Sequence, residues 1–194
     1  MNIKTVAKIG LLVCFAYFIT VIVQIAFNNN FTLYLVSIIT MLSGIYMTLL
    51  IVAFPLEKEY KQFYRTMAVV CVSACMILTN AVHFANIAAI RPLIASGISI
   101  PDYFQIGKYP SVLMGIDYLG WGLFMGLAFI FSSCCINTVM KLKKILLLCG
   151  CFCLAGFIGY IFNENLVYIA PLGYGAGTVV ICVKLLLSTN KRTV

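Results

Sequence analysis

Two ionisable side chains lie inside long apolar stretches, where charge is costly and therefore uncommon. His83 falls in a run that also carries Asn80 and Asn86 and closes on Arg91; Asp117 falls in the next run, four residues before Trp121. A histidine beside a carboxylate can take, hold or release a proton, and a carboxylate can orient the imidazole as a general base. Arg91 would offer a charge-assisted anchor for an anionic ligand, with Asp117 as counter-ion or proton acceptor. At a helical rise of about 1.5 Å per residue, His83 lies about 10 Å from the end of its run and Asp117 about 9 Å from the start of its own, so both reach one depth. A second reading fits the same residues: a buried His–Asp pair that holds two helices in register and does nothing else.

The elements that must position these groups are membrane helices. The chain is 63% hydrophobic and 9% charged, with a mean hydropathy of +1.09, whereas an ordinary soluble domain is about one quarter charged. Apolar runs near residues 9–27, 32–54, 66–90, 111–136, 145–162 and 166–187 approach the ~20 residues that cross a ~30 Å hydrocarbon core. They are too long and continuous for barrel strands. The expected fold is all-α: one integral membrane domain over residues 1–194, a polytopic bundle of six transmembrane helices. Asn28-Asn29-Asn30 and Asn163-Glu164-Asn165 are connectors short enough to force antiparallel hairpins. No internal repeat is visible, so an inverted-repeat transporter has no support.

Charge placement orients the bundle. Of 13 Lys and Arg, all but Arg91 and Lys108 fall on the side of the two termini, which by the positive-inside tendency makes both termini cytoplasmic. The net charge of +8 is thereby accounted for without a nucleic-acid partner, and the expected location is the cell (plasma) membrane. The first run is longer than a signal-peptide core and lacks a convincing small-x-small cleavage site, so it reads as a retained helix. Between Pro55 and Arg65, Leu56, Tyr60, Phe63 and Tyr64 interleave with Lys58, Lys61 and Arg65, as in an interfacial helix or an ordinary loop with an aromatic belt.

Soluble-enzyme signatures are missing: there is no Walker A, H-E-x-x-H, G-x-S-x-G or C-x-x-C pattern. The nine cysteines read as small packing residues, since Cys149, Cys151 and Cys153 diverge by about 200° at each step and cannot converge on one ion. Neither a metal nor another cofactor is expected. Gly115, Gly122 and Gly126, then Gly173 and Gly177, place small residues on helix faces where a neighbour can approach closely, and Pro171 is expected to break the last helix. The connection from Arg91 to Pro110, rich in Gly and Pro yet apolar, could fold back as a lid.

The stretch Thr79-Asn80-Ala81-Val82-His83, the closing Arg91, and the run from Pro110 through Asp117-Tyr118-Leu119-Gly120-Trp121-Gly122-Leu123-Phe124 resemble a group of uncharacterised bacterial multi-helix membrane proteins. Members of that group share an acidic-x-Leu-Gly-Trp-Gly-x-Phe signature. The resemblance covers under a third of the chain and implies a membrane bundle but no activity. Size, six helices and cytoplasmic termini are also similar to the substrate-binding subunits of energy-coupling-factor vitamin transporters, although the first helix has no clear Ala-x-x-x-Ala docking motif.

The leading expectation is binding or transport, proton-linked or of a small molecule, through a pocket open to the outer face. His83, Asp117, Asn80, Asn86, Arg91 and Trp121 would line it, between the third, fourth and sixth helices. Two alternatives stay open: an intramembrane lipid-modifying enzyme with His83 as general base, and a non-catalytic partner or immunity subunit that binds another membrane protein.

Overall fold

A computed structural model describes residues 2–54, 61–136 and 140–187. It contains six helices long and apolar enough to cross a membrane: α1 (Ile3–Phe27), α2 (Asn30–Ala53), α3 (Gln62–Ala95), α4 (Val112–Cys135), α5 (Lys141–Phe162) and α6 (Asn165–Leu187). No strand occurs among the described residues. With six spans, the start of α1 and the end of α6 lie at one side of the bundle, called here the terminal side. The helices form a ring in chain order: each packs on its successor, and α6 closes back on α1.

Local chemistry sets the turns. Asn28 adopts the left-handed conformation (φ 38°) at the end of α1 and its N–H donates to Gln24 O at 2.9 Å, a position Asn tolerates better than most residues. Asn29 then caps α2 in a reciprocal box with Thr32. Two residues thus reverse the chain. At the same side of the bundle Tyr160 gathers the ends of several elements. Its hydroxyl donates to Ser111 O, its ring stacks on Tyr118 with centroids 5.4 Å apart, and its carbonyl accepts from Tyr109 Oη at 3.0 Å.

The outward surface is apolar. On α1, Leu12, Phe15, Phe18, Ile22 and Ile25 recur at helical spacing and are exposed, an apolar stripe suited to a membrane environment. The ring interior toward the terminal side is filled by Met47, Leu50, Met125, Phe129, Leu146 and Ile181. Across it, the Tyr46 hydroxyl meets Cys182 Sγ at 3.1 Å.

The helix boundaries differ from expectation in the polar flanks. α1 begins at Ile3, where the Asn2 side chain accepts from the Lys4 N–H, and α3 begins at Gln62 and runs on past Arg91 to Ala95. Charged residues join a helix once its apolar body fixes the axis. Residues 62–65 are therefore the first turn of α3 rather than part of a separate interfacial helix, while Leu56, Lys58 and Tyr60 lie outside the described residues. The helices are also less regular than an apolar run suggests. π turns interrupt α3 at Asn86–Ile90, α4 at Leu119–Phe124 and α6 at Leu172–Ala176. α6 opens with a 3₁₀ segment, Glu164–Ile169, and Pro171 leads into its π turn.

Candidate functional site

α3 and α4 face each other through small groups. A Cβ on Gly120 would stand 3.3 Å from both Cys75 O and Thr79 Oγ1, so the two backbones approach closely beside the polar residues. There His83 Nε2 lies 3.9 Å from Asp117 Oδ2, with 6% and 20% of the two side chains exposed. That separation is too long for a hydrogen bond. Asp117 Oδ1 instead accepts from Thr79 Oγ1 at 3.2 Å. Both imidazole nitrogens of His83 are buried without a hydrogen-bond partner among the described residues.

The pair sits in the wall of a cavity of about 690 Å³. Trp121 and Tyr174 stand beside it, their rings 4.9 Å apart and tilted by 40°. The opposite walls come from α1 through Cys14, Tyr17 and Phe18 and from α2 through Thr40, Ser43 and Met47. Ile106, from the loop at residues 96–110, reaches the cavity as well, so part of that loop does fold over the bundle. Phe15 and Phe18 line the cavity yet are 64% and 62% exposed. The cavity therefore reaches the lipid-facing surface beside α1. Packing shows why: where α1 meets α6 it lies chiefly against Gly177–Leu187, the terminal-side half, while the other half of α6 lies against α5.

Of the six residues expected in the pocket, His83, Asp117 and Trp121 line it, and Asn80, Asn86 and Arg91 do not. Spacing explains the split. Residues three apart on a helix fall about 60° short of a full turn, so Asn80, His83 and Asn86 fan out, and the middle one points inward. Asn86 turns to α2, where its Nδ2 donates to Ser37 Oγ at 3.3 Å while its Oδ1 is buried without a partner. Asn80 Oδ1 is likewise unpartnered, and Arg91 stands near Tyr34 beyond the π turn. The pocket expected between the third, fourth and sixth helices is bounded equally by α1 and α2.

The expected packing glycines all meet α5. A Cβ on Gly122 would stand 2.7 Å from Phe157 Cβ, and one on Gly126 3.0 Å from Gly150 O. Gly115 abuts Tyr160 and Gly177 abuts Cys149, while Gly173 lies against Cys149 O and Cys153 Sγ. These faces are thus occupied within the chain.

Sequence reasoning missed Thr79, Tyr17, Thr40, Ser43 and Thr178. One signal was available: Val36, Thr40, Ser43 and Met47 recur at four, three and four residues, a polar-edged stripe along one face of α2. The cavity can hold a mostly apolar molecule. Asp117 is open to such a molecule's polar group, whereas both His83 nitrogens are covered, so a group that bridges His83 Nε2 and Asp117 Oδ2 requires the imidazole to turn. Comparison with protein-family models, curated proteins and solved structures gives no match.

Proposed function

We propose that this protein binds a small amphiphilic molecule in the cavity, as a membrane receptor or carrier, with His83 and Asp117 engaging the ligand's polar group. The observation that carries this reading is His83: a nine-tenths buried imidazole in a cavity wall, neither nitrogen paired, 3.9 Å from a carboxylate. An unpaired buried polar group costs about 1–3 kcal/mol, and a ligand toward which the covered imidazole turns would recover it. The volume suits a drug-sized ligand, since such sites span about 300–1,000 Å³. By the placement of Lys and Arg, the terminal side faces the cytoplasm, and the cavity runs from the middle of the cell membrane into its outer half.

Gly175 supplies the test. It lines the cavity, and a Cβ there meets nothing within 4 Å, so Gly175→Leu should fill the space without disturbing the fold. Native mass spectrometry of protein extracted with its surrounding lipid should show a bound molecule in wild type that is lost in Gly175→Leu. An identical set of bound molecules in both would overturn the reading.

The exposed Phe15 and Phe18 favour a second reading, an intramembrane enzyme acting on a lipid that enters sideways, with His83 as general base. Turnover of a labelled lipid by reconstituted wild type, absent in His83→Gln, would select it over binding alone.

A further inference from the structure

The charge pattern of the cavity narrows the ligand. Among the described residues Asp117 is the one carboxylate in its lining, and neither Lys nor Arg lines it. Asp117 Oδ1 has the Thr79 hydroxyl, whereas no hydrogen-bond donor reaches Oδ2 among the described residues, and the nearest cationic candidate, His83, stands off at 3.9 Å. Apart from His83 and the hydroxyls of Thr40, Ser43 and Thr178, the remaining surface is mostly apolar and strongly aromatic: Trp121, Tyr174 and Tyr17 close to the acid, Phe15 and Phe18 at the lipid-facing edge. Aromatic faces carry negative electrostatic potential and attract cations, more so where water is excluded. A carboxylate among such faces is the complement of a positive charge on an apolar body. An anion would meet Asp117 with no guanidinium or ammonium to offset it, and a pure hydrocarbon would leave Oδ2 desolvated and unpaired.

Resting on the reading of the cavity as a ligand site, we infer that its ligand class is a lipophilic organic cation. The charged centre sits between Asp117 Oδ2 and the Trp121–Tyr174 pair, and the molecule arrives from the bilayer past Phe15 and Phe18. The lateral route matches the chemistry, because an amphiphilic cation concentrates in the membrane before it reaches any protein.

The experiment uses three probes of similar shape: tetraphenylphosphonium, tetraphenylborate and the neutral, hydroxyl-bearing triphenylmethanol. Binding is measured by equilibrium dialysis on the full chain in nanodiscs, with Gly175→Leu nanodiscs as the background for partition into lipid. Trp121, the single tryptophan of the chain, reports occupancy by fluorescence. The expected result is saturable tetraphenylphosphonium binding, weakened at least tenfold by Asp117→Asn and retained in part by Asp117→Glu, with no saturable tetraphenylborate binding. Thermal unfolding of each variant verifies the fold. Equal binding of both ions, or phosphonium binding indifferent to Asp117→Asn in a folded protein, would overturn the cation assignment. Saturable binding of triphenylmethanol alone would also overturn it, while leaving a ligand-binding cavity intact. If no probe binds above background but native mass spectrometry still shows a molecule lost in Gly175→Leu, only the ligand class fails; if that molecule is absent too, both readings fail.

Discussion

Asp117→Asn, made alone and with His83→Gln, separates a site residue from a structural one. Two unit charges 4 Å apart are worth about 4 kcal/mol at an effective dielectric of about 20, and breaking a buried ion pair costs about 3–5 kcal/mol. If the 3.9 Å pair held α3 and α4 together, each single variant would lose several kcal/mol, and the double variant hardly more. The geometry argues otherwise. Among the described residues no hydrogen bond joins the two, both His83 nitrogens are unpaired, and the one donor to Asp117 is Thr79, which the amide oxygen of Asn can still engage. The expected outcome is that Asp117→Asn changes stability by less than about 1 kcal/mol, or raises it, with a coupling energy to His83→Gln below about 1 kcal/mol. For a chain of this size that is a shift of no more than about 2–4 °C in Tm. The assay is thermal unfolding in detergent at fixed pH, followed by tryptophan fluorescence. A coupling near 3–4 kcal/mol would refute the reasoning and leave the pair as a structural clasp.

Gly122→Ala places a methyl 2.7 Å from Phe157 Cβ, and overpacking of that kind costs about 1–3 kcal/mol; thermal unfolding should show the loss. Gly175→Ala meets open space and replaces a helical glycine, so it should stabilise by about 0.5–1 kcal/mol in the same assay, and a loss there would contradict the cavity wall as described. For orientation, a cysteine at Ser96 in a chain freed of its native cysteines should react with a membrane-impermeant maleimide on intact cells; labelling only after lysis would reverse the assignment of sides.

The bundle was legible because its physics is one-dimensional. Runs of about 20 apolar residues, punctuated by Asn28-Asn29-Asn30 or by charged flanks, fix the number of spans before any packing is considered. The site was legible only in part. His83 and Asp117 stand out because ionisable groups in apolar surroundings are anomalous, and Trp121 follows from sharing a helix with Asp117. Asn80, Asn86 and Arg91 were expected beside them because each is polar and lies on the same helix, but polarity does not specify azimuth. Asn86 turned to Ser37 on α2, a partner that spacing within one helix cannot reveal. The contribution of α1 and α2 was hidden for a related reason: ring closure of α6 on α1 is a long-range fact, and Tyr17, Thr40 and Ser43 are individually ordinary residues of membrane helices.

The three π turns bear most directly on why the site exists. They lie in α3, α4 and α6, all in the half of the bundle away from the termini, and two of them contain the paired rings, Trp121 and Tyr174. A π turn holds one residue more than the α turn it replaces, so it displaces the flanking helix face by about 100° relative to an unbroken helix and is often found at functional sites. Removing that extra residue should close the wide turn. Deleting Leu123 takes out the residue and the π turn together, so the helix before and after Leu119–Phe124 keeps its facing, while Trp121, inside the turn, loses its seat against Tyr174. Because Trp121 is the only tryptophan and is 6% exposed, its emission reads the change directly. The deletion should raise quenching by dibrominated lipid or acrylamide and abolish probe binding, while the protein remains folded by circular dichroism. Unchanged quenching together with intact binding would mean that the π turn does not set the position of Trp121, and that the aromatic wall is built by packing alone.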